Sequence, residues 1–575
     1  MEEEDKKELL LFQMGPVQEF IAQARSTRDL WSGSYLLSWL VAHAIVAAWK
    51  AEGGNVTFND MVMPSIRKED NPLLFALMDK RSLMDDDQVR KALIPNLPNR
   101  FAMLVPAGTG KARAEAASSA VRDELQNIGE AVWKWLEVYG AKPEWKRRFD
   151  SQLAAFPQIT WAVHARKDGE PFEMAWDSVN DALAARRNTR DFAQWDPVCK
   201  DAAVKDSLSG REECIGDEEF WSTLKRDNLF SKATGHRYGA MNLVKRLWCH
   251  VDDAESGKNF LANSLVFRER QIKTSLLVPD LPSVAQKNTD SKVPYVAVVA
   301  FDGDRMGTTI DGRKSSPDGI RKISAALSEF ALEKVPGIVE RHAGHLVYAG
   351  GDDVLAILPS SKAVACAREI REAFHGMEGF DLDGSCGIAV GHFKAPLQML
   401  VKQAQHMESV AKNRYGRSAL AIAVYKRSGE ILEWGCKWSS PSLSLMNEVT
   451  RLSSGDRPKL SSRFPYALAA LLKPYELGKM KPEELSGFED VIRNEVAHVL
   501  ERQGSNLSAD EREKFAAQID EHFDAVAAGV DQPETRVVGR ELTDAEKKGE
   551  HKVHPDDFLG LFLVETFLNR KREGR

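Results

Sequence analysis

The sequence predicts an α+β fold divided into several domains. At 575 residues the chain is too long for one hydrophobic core, so three or four domains are expected. Between residues 294 and 425, short apolar strands alternate with amphipathic helices in the order β-α-β-β-α-β, which is the ferredoxin-like order. A second mixture of strands and helices lies near the start of the chain. The four expected domains are 1–170, 171–287, 288–430 and 431–575.

The first domain, residues 1–170, is predicted from apolar runs separated by chain breakers. Gly15-Pro16 ends a buried apolar strand. The apolar run from Tyr35 to Trp49 is too short to cross a bilayer and fits a buried helix. In a later, longer helix the apolar residues recur at three-to-four spacing. We predict strands at 8–14, 101–105 and 159–163, and helices from about Val17, at about 34–51 and at 112–139.

Residues 288–430 hold the clearest pattern. Two apolar runs are separated only by residues 349–353, Ala-Gly-Gly-Asp-Asp, which predicts a hairpin. Residues 171–287 are irregular by comparison, and residues after about 430 are predicted to be mostly helical. In the third domain we predict strands at 295–301, 346–348, 354–358, 385–391 and 418–425, and helices at about 317–342, 361–375 and 396–412.

The composition is that of an ordinary globular protein. Apolar residues form 43% of the chain and charged residues 28%, which excludes a collagen-like, disulfide-stapled or wholly disordered chain. The net charge of −7 disfavours a stand-alone nucleic-acid binder, but not a subunit whose partners carry the basic surface. The acidic start, Met1 to Asp5, is unlike a signal peptide, so a cytoplasmic protein that does not contact a membrane is expected.

Acidic residues follow two strands of the third domain. Asp302 ends the first strand, and Asp352 and Asp353 form the tip of the hairpin. We expect the first strand to lie beside the first strand of the hairpin, so that these carboxylates converge. Converging like charges are costly, and a divalent cation that prefers oxygen ligands, Mg²⁺ or Mn²⁺, removes that cost.

Such cations would suit phosphoryl chemistry. Two metals about 4 Å apart can activate a hydroxyl group and stabilise the leaving oxygens of an in-line displacement. Gly350 and Gly351 allow positive φ angles in the turn, and Gly303 leaves room for a triphosphate. Lys412, at the end of a predicted helix, can offer a cation to phosphates. The simpler interpretation is a solvated type I′ turn, but the apolar flanking strands and the acid after the first strand favour catalysis.

Several motifs recur in the order in which they occur in a known family. Residues 301–307, FDGDRMG, and 348–358, YAGGDDVLAIL, are similar to the second palm domain of the large subunit of type III CRISPR effector complexes. Further motifs resemble the type III-B, or Cmr, branch of that family. They are Met14 to Ile21, Ala24 to Tyr35, Asn96 to Phe101, Leu243 to Arg246 and Lys426 to Glu430.

The resemblance implies two palm-like domains, only the second of which carries the acidic turn, and a subunit that acts in a ribonucleoprotein. Its partners would be guide RNA, target RNA and other Cmr-type subunits. Target RNA would switch on a nucleotidyltransferase that makes a signalling nucleotide, cyclic oligoadenylate, from ATP. The residues that would hold Mg²⁺ or Mn²⁺ and be catalytic are Asp302, Asp352 and Asp353. The residues that would hold ATP are Gly303, Asp304, Gly350, Gly351 and Lys412.

The sequence departs from the family pattern in two ways. The family often has an N-terminal HD nuclease domain, but here the first palm begins at about residue 8 and the chain has no His-Asp dipeptide. DNA cleavage by this subunit is therefore not expected. The middle domain of the family commonly holds zinc with two CxxC pairs, whereas residues 201–214 contain Ser207, Ser209 and a lone Cys214. We therefore predict no structural zinc and expect that segment to be stabilised by packing.

Three alternatives stay open. The subunit could be a catalytically silent scaffold, although the intact acids disfavour it. It could be a free-standing diguanylate-type cyclase, which the long insertion at 171–287 disfavours. Its product could instead join ATP to another adenosine compound such as S-adenosylmethionine, which the sequence cannot decide.

Weaker signals have simpler interpretations. Residues 108–111, Gly-Thr-Gly-Lys, resemble a phosphate loop but lack the full motif, so a surface turn is expected. Trp31 and Tyr35 are expected to pack in a core or an interface. Arg25 and Arg28 are candidates for contact with phosphate or another subunit.

Overall fold

The chain folds into two compact units in a computed structural model. The first unit comprises Met1–Asp280, Ile310–Glu333 and Val347–Gly351, and the second comprises Leu281–Thr309, Lys334–Leu346 and Asp352–Arg575. The finer division into four domains stays a prediction. The structure describes residues 7–66, 71–189, 204–224, 230, 236–250, 259–268, 270, 278–288, 293–453, 458–480, 482–504, 506–528, 536–537, 540–541 and 555–569.

A four-stranded antiparallel sheet forms the centre of the first unit. Its strand order is β2-β3-β1-β4. Helix Phe172–Asn188 packs on one face of this sheet and shares a core with it, to which Ile320 also contributes. Helix Phe172–Asn188, which the sequence assigned to the next domain, therefore packs with the first sheet. The strands are β1 Lys7–Gly15, β2 Met61–Met63, β3 Arg100–Pro106 and β4 Gln158–Ala165.

A six-stranded sheet carries the predicted acidic turn. Its order is β10-β9-β8-β5-β7-β6, and β8 and β9 run parallel. The first four of these strands in chain order, β5 to β8, stand in the order 8-5-7-6, which is the ferredoxin-like arrangement that was predicted. The strands are β5 Tyr295–Gly303, β6 His345–Ala349, β7 Asp353–Pro359, β8 Gly384–His392, β9 Ala419–Tyr425 and β10 Ile431–Lys437.

Helices surround both sheets. Those of the first unit are Gln18–Ala22, Thr27–Lys50, Pro72–Met78, Asp86–Ala92, Gly110–Val138, Pro143–Ala155, Phe172–Asn188, Glu218–Leu224, Ala240–Leu247, Phe260–Asn263 and Pro317–Glu329. The segment Met306–Asp311 is also helical. Those of the second unit are Leu281–Ala285, Val335–Arg341, Ala363–His375, Leu397–Asn413, Pro441–Ser453, Phe464–Leu472, Pro482–Leu485, Glu489–Gln503, Ala509–Ala527 and Asp557–Leu568.

The predicted buried helix of the first domain is confirmed, but it begins earlier than expected. It starts at Thr27 because Ser26 and Asp29 form a capping box, in which each side chain accepts a hydrogen bond from the backbone N–H of the other. Within the part of the chain that the structure describes, this is the one helix long and apolar enough to cross a membrane. Its apolar window is 83% buried inside the protein, as expected of a core helix.

One expectation about the third domain was wrong, and one strand after it was not predicted. The helix predicted at 317–342 is two helices joined by a π-helical turn at Phe330–Lys334, and Pro336, which has no backbone N–H, stands at the start of the second one. Residues after 430 were predicted to be mostly helical, and the described residues there do form mainly helices, but Ile431–Lys437 adds an unpredicted strand, β10, along β9. Ile431 and Glu433 are exposed while Leu432 and Trp434 are buried, which is the alternation of a strand.

Candidate active site at the end of the second sheet

The acid at the end of β5 lies beside the acidic turn. Asp302 is the register partner of Asp353 on β7 and of Ser385 on β8. The predicted juxtaposition of the acids is therefore confirmed, but the neighbouring strand was misassigned. β5 pairs with the second strand of the hairpin, whereas the first strand, β6, lies at the edge of the sheet. In the ferredoxin-like order the hairpin turns so that its second strand enters the sheet centre.

The glycines of the site have different structural reasons. Gly351 has a φ of +102°, at which a residue with a side chain would be strained. A positive φ was also predicted for Gly350, but Gly350 does not have one. The Gly303 N–H donates to the Asp352 carbonyl at 3.0 Å. A Cβ added at Gly303 would lie 3.0 Å from the Asp352 Cβ and 2.8 Å from the Phe374 ring. Gly303 therefore lets the two acidic segments approach each other.

Lys412 neutralises the acid of β5. Its Nζ is hydrogen-bonded to Asp302 Oδ2 and lies 2.7 Å from Glu408 Oε1, one helical turn earlier on helix Leu397–Asn413. Burial disfavours the charge of the ammonium group, but the two carboxylates outweigh it and raise the pKa of Lys412 to about 12. A permanent positive charge is thus fixed at the end of the sheet.

The negative charge of Asp352 is disfavoured by its surroundings. Burial, and then the charge of Asp302, raise the pKa of Asp352 to about 6. Burial also raises the pKa of Glu408 above its usual range, although Lys412 acts in the opposite direction. The site therefore holds more carboxylate charge than one lysine satisfies.

Asp304 lies beneath the site and binds protein groups. It is 8% exposed and accepts hydrogen bonds from Ser385 Oγ at 2.9 Å and from the Ser418 backbone N–H at 2.7 Å. Burial raises its pKa to about 7, with Ser418 and Ser385 opposing the shift. Its carboxylate joins the end of β5 to the loop before β9. The contact with ATP expected of Asp304 stays a prediction.

That loop is conformationally strained. Gly416, Arg417 and Ser418 have consecutive positive φ values of 75°, 64° and 46°. The buried Lys437 donates to the Gly416 and Arg417 carbonyls at 2.8 and 2.9 Å, and so holds the loop. The loop directly follows the helix that carries Lys412, so its geometry helps to place that lysine.

The donor set fits Mg²⁺ or Mn²⁺ in its chemistry. Asp302, Asp352 and Asp353 supply hard carboxylate oxygens on adjacent backbone segments, and a bound cation would offset the burial and the Asp302 charge that raise the pKa of Asp352. Among the described residues, no three acidic, histidine or cysteine side chains already surround one point as a metal centre. At Asp302 the positive charge comes from Lys412 instead.

The weaker candidates resolve differently. At the start of helix Gly110–Val138 the Gly110 N–H donates to the Glu8 carboxylate at 2.8 Å, which supports a turn rather than a phosphate loop. Trp31 and Tyr35 are buried and stack at 5.0 Å, as packing residues do. Arg25 contacts His236 Nε2 at 2.6 Å. The contacts with phosphate or a partner subunit that Arg25 and Arg28 were assigned stay predictions.

The segment without CxxC pairs is held by a carboxylate rather than by packing alone. Asp206 is 2% exposed and accepts backbone hydrogen bonds from Leu208 and Ser209 at 2.6 and 2.8 Å. Its other oxygen accepts from the Gly239 N–H at 2.6 Å and from the Asn242 side chain at 3.0 Å. One buried acid therefore joins two loops about thirty residues apart. Part of this segment, residues 201–203, lies outside the described residues.

Sequence reasoning missed several groups of the site. Glu408 was detectable, because it stands four residues before Lys412 on a predicted helix. Asp383 was not, since it becomes relevant only through tertiary contacts. It accepts two hydrogen bonds from Arg371, at 2.7 and 2.6 Å, and its backbone carbonyl accepts from the Asp304 N–H at 2.8 Å.

Comparison with known proteins identifies relatives of both sheets. A family model described as Cas10/Cmr2, second palm domain, matches residues 295–421. A second model, CRISPR-associated protein Cmr2, N-terminal, matches residues 9–130. The chain is 23% identical to the CRISPR system Cmr subunit Cmr2 of Pyrococcus furiosus in an alignment that covers 89% of this chain and 71% of that protein.

Solved structures share the fold. The type III-B Cmr-beta complex in its apo state contains a chain that aligns with a TM-score of 0.64 at 14% identity, over 89% of this chain and 79% of that one. In the Cmr-beta complex bound to cognate target RNA the TM-score is 0.56 at 14% identity, over 86% and 78%. The predicted resemblance to the Cmr branch of the palm-domain family is confirmed.

Proposed function

We propose that this Cmr2-like chain is the large subunit of a guide-RNA effector complex that makes cyclic oligoadenylate from ATP when it binds target RNA. Its partners are guide RNA, target RNA and other Cmr-type subunits, and it acts in the cytoplasm. The match to the Cas10/Cmr2 second palm domain and the likeness to the Cmr-beta complex bound to target RNA support this proposal.

The reaction is a nucleotidyl transfer. The 3′-hydroxyl oxygen of one ATP bonds to the α-phosphorus of another, the bond from that phosphorus to the bridging oxygen breaks, and pyrophosphate leaves. The hydroxyl proton passes to water. Bound Mg²⁺ or Mn²⁺ supplies the Lewis acid that polarises the phosphate and lowers the pKa of the attacking hydroxyl.

The residues of the chain have separate tasks. The carboxylates that hold the metal are Asp302, Asp352 and Asp353. Lys412, freed from Asp302, pairs with phosphate oxygens. Gly303, Gly350 and Gly351 let the backbone approach the nucleotide, and Asp304 fixes the loop before β9.

One observation carries the proposal: the register that sets Asp302 opposite Asp353, with the Gly303 N–H bonded to the Asp352 carbonyl. A solubilising turn would not need an acid on the adjacent strand. It would also not need a lysine held between that acid and a second carboxylate.

The test uses the reconstituted complex with labelled ATP, Mg²⁺ and target RNA. Replacing Asp352→Asn together with Asp353→Asn should lower product formation by at least about 1,000-fold, or about 4 kcal/mol of transition-state stabilisation. Complex assembly and target binding should be unchanged. Product formation within about tenfold of the unmodified complex would overturn the assignment.

Asp318→Asn is the matched control, because its carboxylate is 75% exposed and lies outside the acidic site. Mass spectrometry of the product identifies the second substrate. It separates cyclic oligoadenylate from a conjugate of AMP with an adenosine compound such as S-adenosylmethionine.

A catalytically silent scaffold is the second candidate. The observation that favours it is the ion pair between Lys412 and Asp302, which already satisfies one of the proposed metal ligands. The same assay decides between the two, since a silent subunit makes no product even with Mn²⁺ and target RNA present.

A further inference from the structure

The two sheets can be compared position by position. Strands β1 to β4 stand in the order 2-3-1-4, and β5 to β8 stand in the same relative order, 6-7-5-8. In each sheet the first strand in the chain lies between the third and the fourth. The two sheets therefore have equivalent strands and equivalent ends.

The registers fix which residues correspond. Gln13 pairs with Arg100, and Asp302 pairs with Asp353, as the last cross-strand pairs of β1 and β5 with their third strands. Aligning these pairs places Phe12 on Phe301, one step back along the strand. It also places two strand-ending prolines on each other, six steps back: Pro106 on Pro359.

The end of the first sheet therefore differs in charge from the acidic site. Gln13 stands where the second sheet has Asp302, and Arg100 stands where it has Asp353. Thr160, the partner of Gln13 on β4, stands where the second sheet has Ser385. A cation and two neutral polar groups replace two acids and a hydroxyl group.

One guanidinium nitrogen of Arg100 has a hydrogen-bond partner, and another is buried without one. Its Nη2 donates to Asn180 Oδ1 on helix Phe172–Asn188, and Asn180 is itself anchored through its Nδ2 to the Trp176 carbonyl at 2.7 Å. The Nε of Arg100 is buried and has no hydrogen-bond partner among the described residues. A buried donor without a partner is costly, so the site lacks an acceptor.

A second arginine lies near Arg100. Arg187 follows Asn180 by seven residues, about two helical turns, so it lies on the helix face from which Asn180 contacts Arg100. Burial, and then the charge of Arg187, lower the pKa of Arg100 below its usual range. No carboxylate of the described residues opposes this lowering of the Arg100 pKa. The neighbouring Arg186 serves the helix end, because it donates to the Thr189 carbonyl at 3.3 Å. Arg187 is an exposed cation on the same helix.

We propose that Arg100 and Arg187, with Gln13 and Thr160 beside them, form an anion site that binds a phosphate group directly, without a metal ion. Guanidinium groups match phosphate oxygens in pairs, and Arg100 offers its Nε and remaining donors from a fixed position. The bound oxygens supply the missing acceptor for Nε and relieve the repulsion between the arginines. The ligand is the polyphosphate of a nucleotide or a phosphodiester of RNA.

This site goes beyond the proposed nucleotide synthesis and stands on other residues. Its test uses the full chain carrying Asp352→Asn and Asp353→Asn, in EDTA, so that metal-dependent binding at the second sheet does not contribute. The first probe is ATP, followed by calorimetry. The second is a short single-stranded oligoribonucleotide with hydroxyl ends, followed by fluorescence anisotropy at several salt concentrations.

Arg100→Gln and Arg187→Gln should each weaken binding of at least one probe by about fivefold or more, or about 1 kcal/mol. Loss confined to ATP identifies a nucleotide polyphosphate. Loss confined to the oligoribonucleotide, with a salt slope smaller by about 0.7 for each lost contact, identifies an RNA phosphodiester. Arg186→Gln is the matched control and should change neither affinity by more than about twofold.

The proposal is overturned if both probes bind both variants as they bind the parent, or if Arg186→Gln weakens binding as much as Arg187→Gln does. Because Arg187 is exposed, its variant decides the outcome even if Arg100→Gln fails to fold. Product synthesis by the unmodified complex is measured separately, so either proposal can fail without the other.

Discussion

The two sheets share one strand order but end in opposite charges. In the first sheet, Gln13 and Arg100 face each other across the end of β1 and β3, and in the second, Asp302 and Asp353 do so across β5 and β7. The apolar residues behind both pairs are alike, since burial of a sheet demands the same pattern in each. The two sheets therefore have the same strand order but differ in the charge of the residues at this register position.

The connections before the paired strands differ as well. β6 and β7 are joined by a three-residue turn at 350–352, whereas helices Pro72–Met78 and Asp86–Ala92 separate β2 from β3. A tight turn brings its own acids to the strand end. The longer connection cannot do so, and in the first sheet helix Phe172–Asn188 supplies Asn180, the hydrogen-bond partner of Arg100.

Converting the second pair into the first should have the largest effect. The double variant Asp302→Gln and Asp353→Arg removes two of the proposed metal ligands and adds a cation. We expect product formation to fall at least about 1,000-fold, or about 4 kcal/mol, in the labelled-ATP assay. If this variant still makes product while folding normally, the difference in charge between the sheets does not determine where catalysis occurs.

The helices beside β10 at the edge of the second sheet offer a pH test. His522 is 0% exposed, bonded to Ser442 Oγ at 2.8 Å and to the Phe558 carbonyl at 3.1 Å, and burial lowers its pKa to about 4. In the unfolded chain its pKa is about 6.5. The contribution of His522 to the free energy of unfolding is therefore fully present above about pH 6.5. It falls by about 3 kcal/mol as the pH falls toward 4.

Urea unfolding of the unmodified chain and of His522→Gln between pH 4.5 and 7.5 measures this dependence. The variant should lose less stability on acidification, although it is less stable at neutral pH. His498→Gln, at an exposed histidine, should follow the unmodified chain. Equal pH dependence in all three proteins would show that His522 is not the titrating group.

The close approach of the acidic segments can be tested with two glycines four residues apart. Gly303→Ala places a methyl group against Phe374 and the Asp352 Cβ, and should cost about 1 to 3 kcal/mol in denaturant unfolding. Gly307→Ala meets nothing within 4 Å in helix Met306–Asp311 and should be neutral or stabilise by about 0.5 kcal/mol. Equal effects of the two substitutions would contradict the packing described for Gly303.

Removing the lysine of the acidic site should have the smallest effect. Lys412→Gln leaves Asp302 without its ammonium partner, so Mn²⁺ binding measured by electron paramagnetic resonance should strengthen by about tenfold, or about 1.4 kcal/mol. Lys402→Gln, an exposed position on the same helix, is the control. Weaker Mn²⁺ binding in Lys412→Gln would mean that the lysine helps to build the metal site rather than competing for it.

Local patterns predicted most of the fold. Apolar runs and the Gly-Gly-Asp-Asp turn were sufficient for β5 to β9 and for the acids at their ends, because a hairpin and a buried strand leave direct marks in sequence. β10 was missed although Leu432 and Trp434 alternate with exposed residues, since its neighbours suggested helix. The position of the hairpin strands was wrong because sheet order depends on tertiary contacts.

Other residues of the two sites come together only through packing between segments that are distant in the sequence. Ser385 and Ser418 bind Asp304 from residues far along the chain, and no spacing rule relates them. Arg100 lies in a recognised motif, but its neighbour Arg187 and its anchor Asn180 belong to a helix that the sequence assigned to another domain. Only the fold brings these residues together.

The path of the chain limits how this protein can be divided. Ile310–Glu333 and Val347–Gly351 belong to the first unit although the residues on either side of each belong to the second. A recombinant fragment limited to residues 288–430 would carry Ile320, which is 1% exposed in the whole chain, without the core that covers it. During translation, the first unit likewise stays incomplete until the ribosome has passed residue 351.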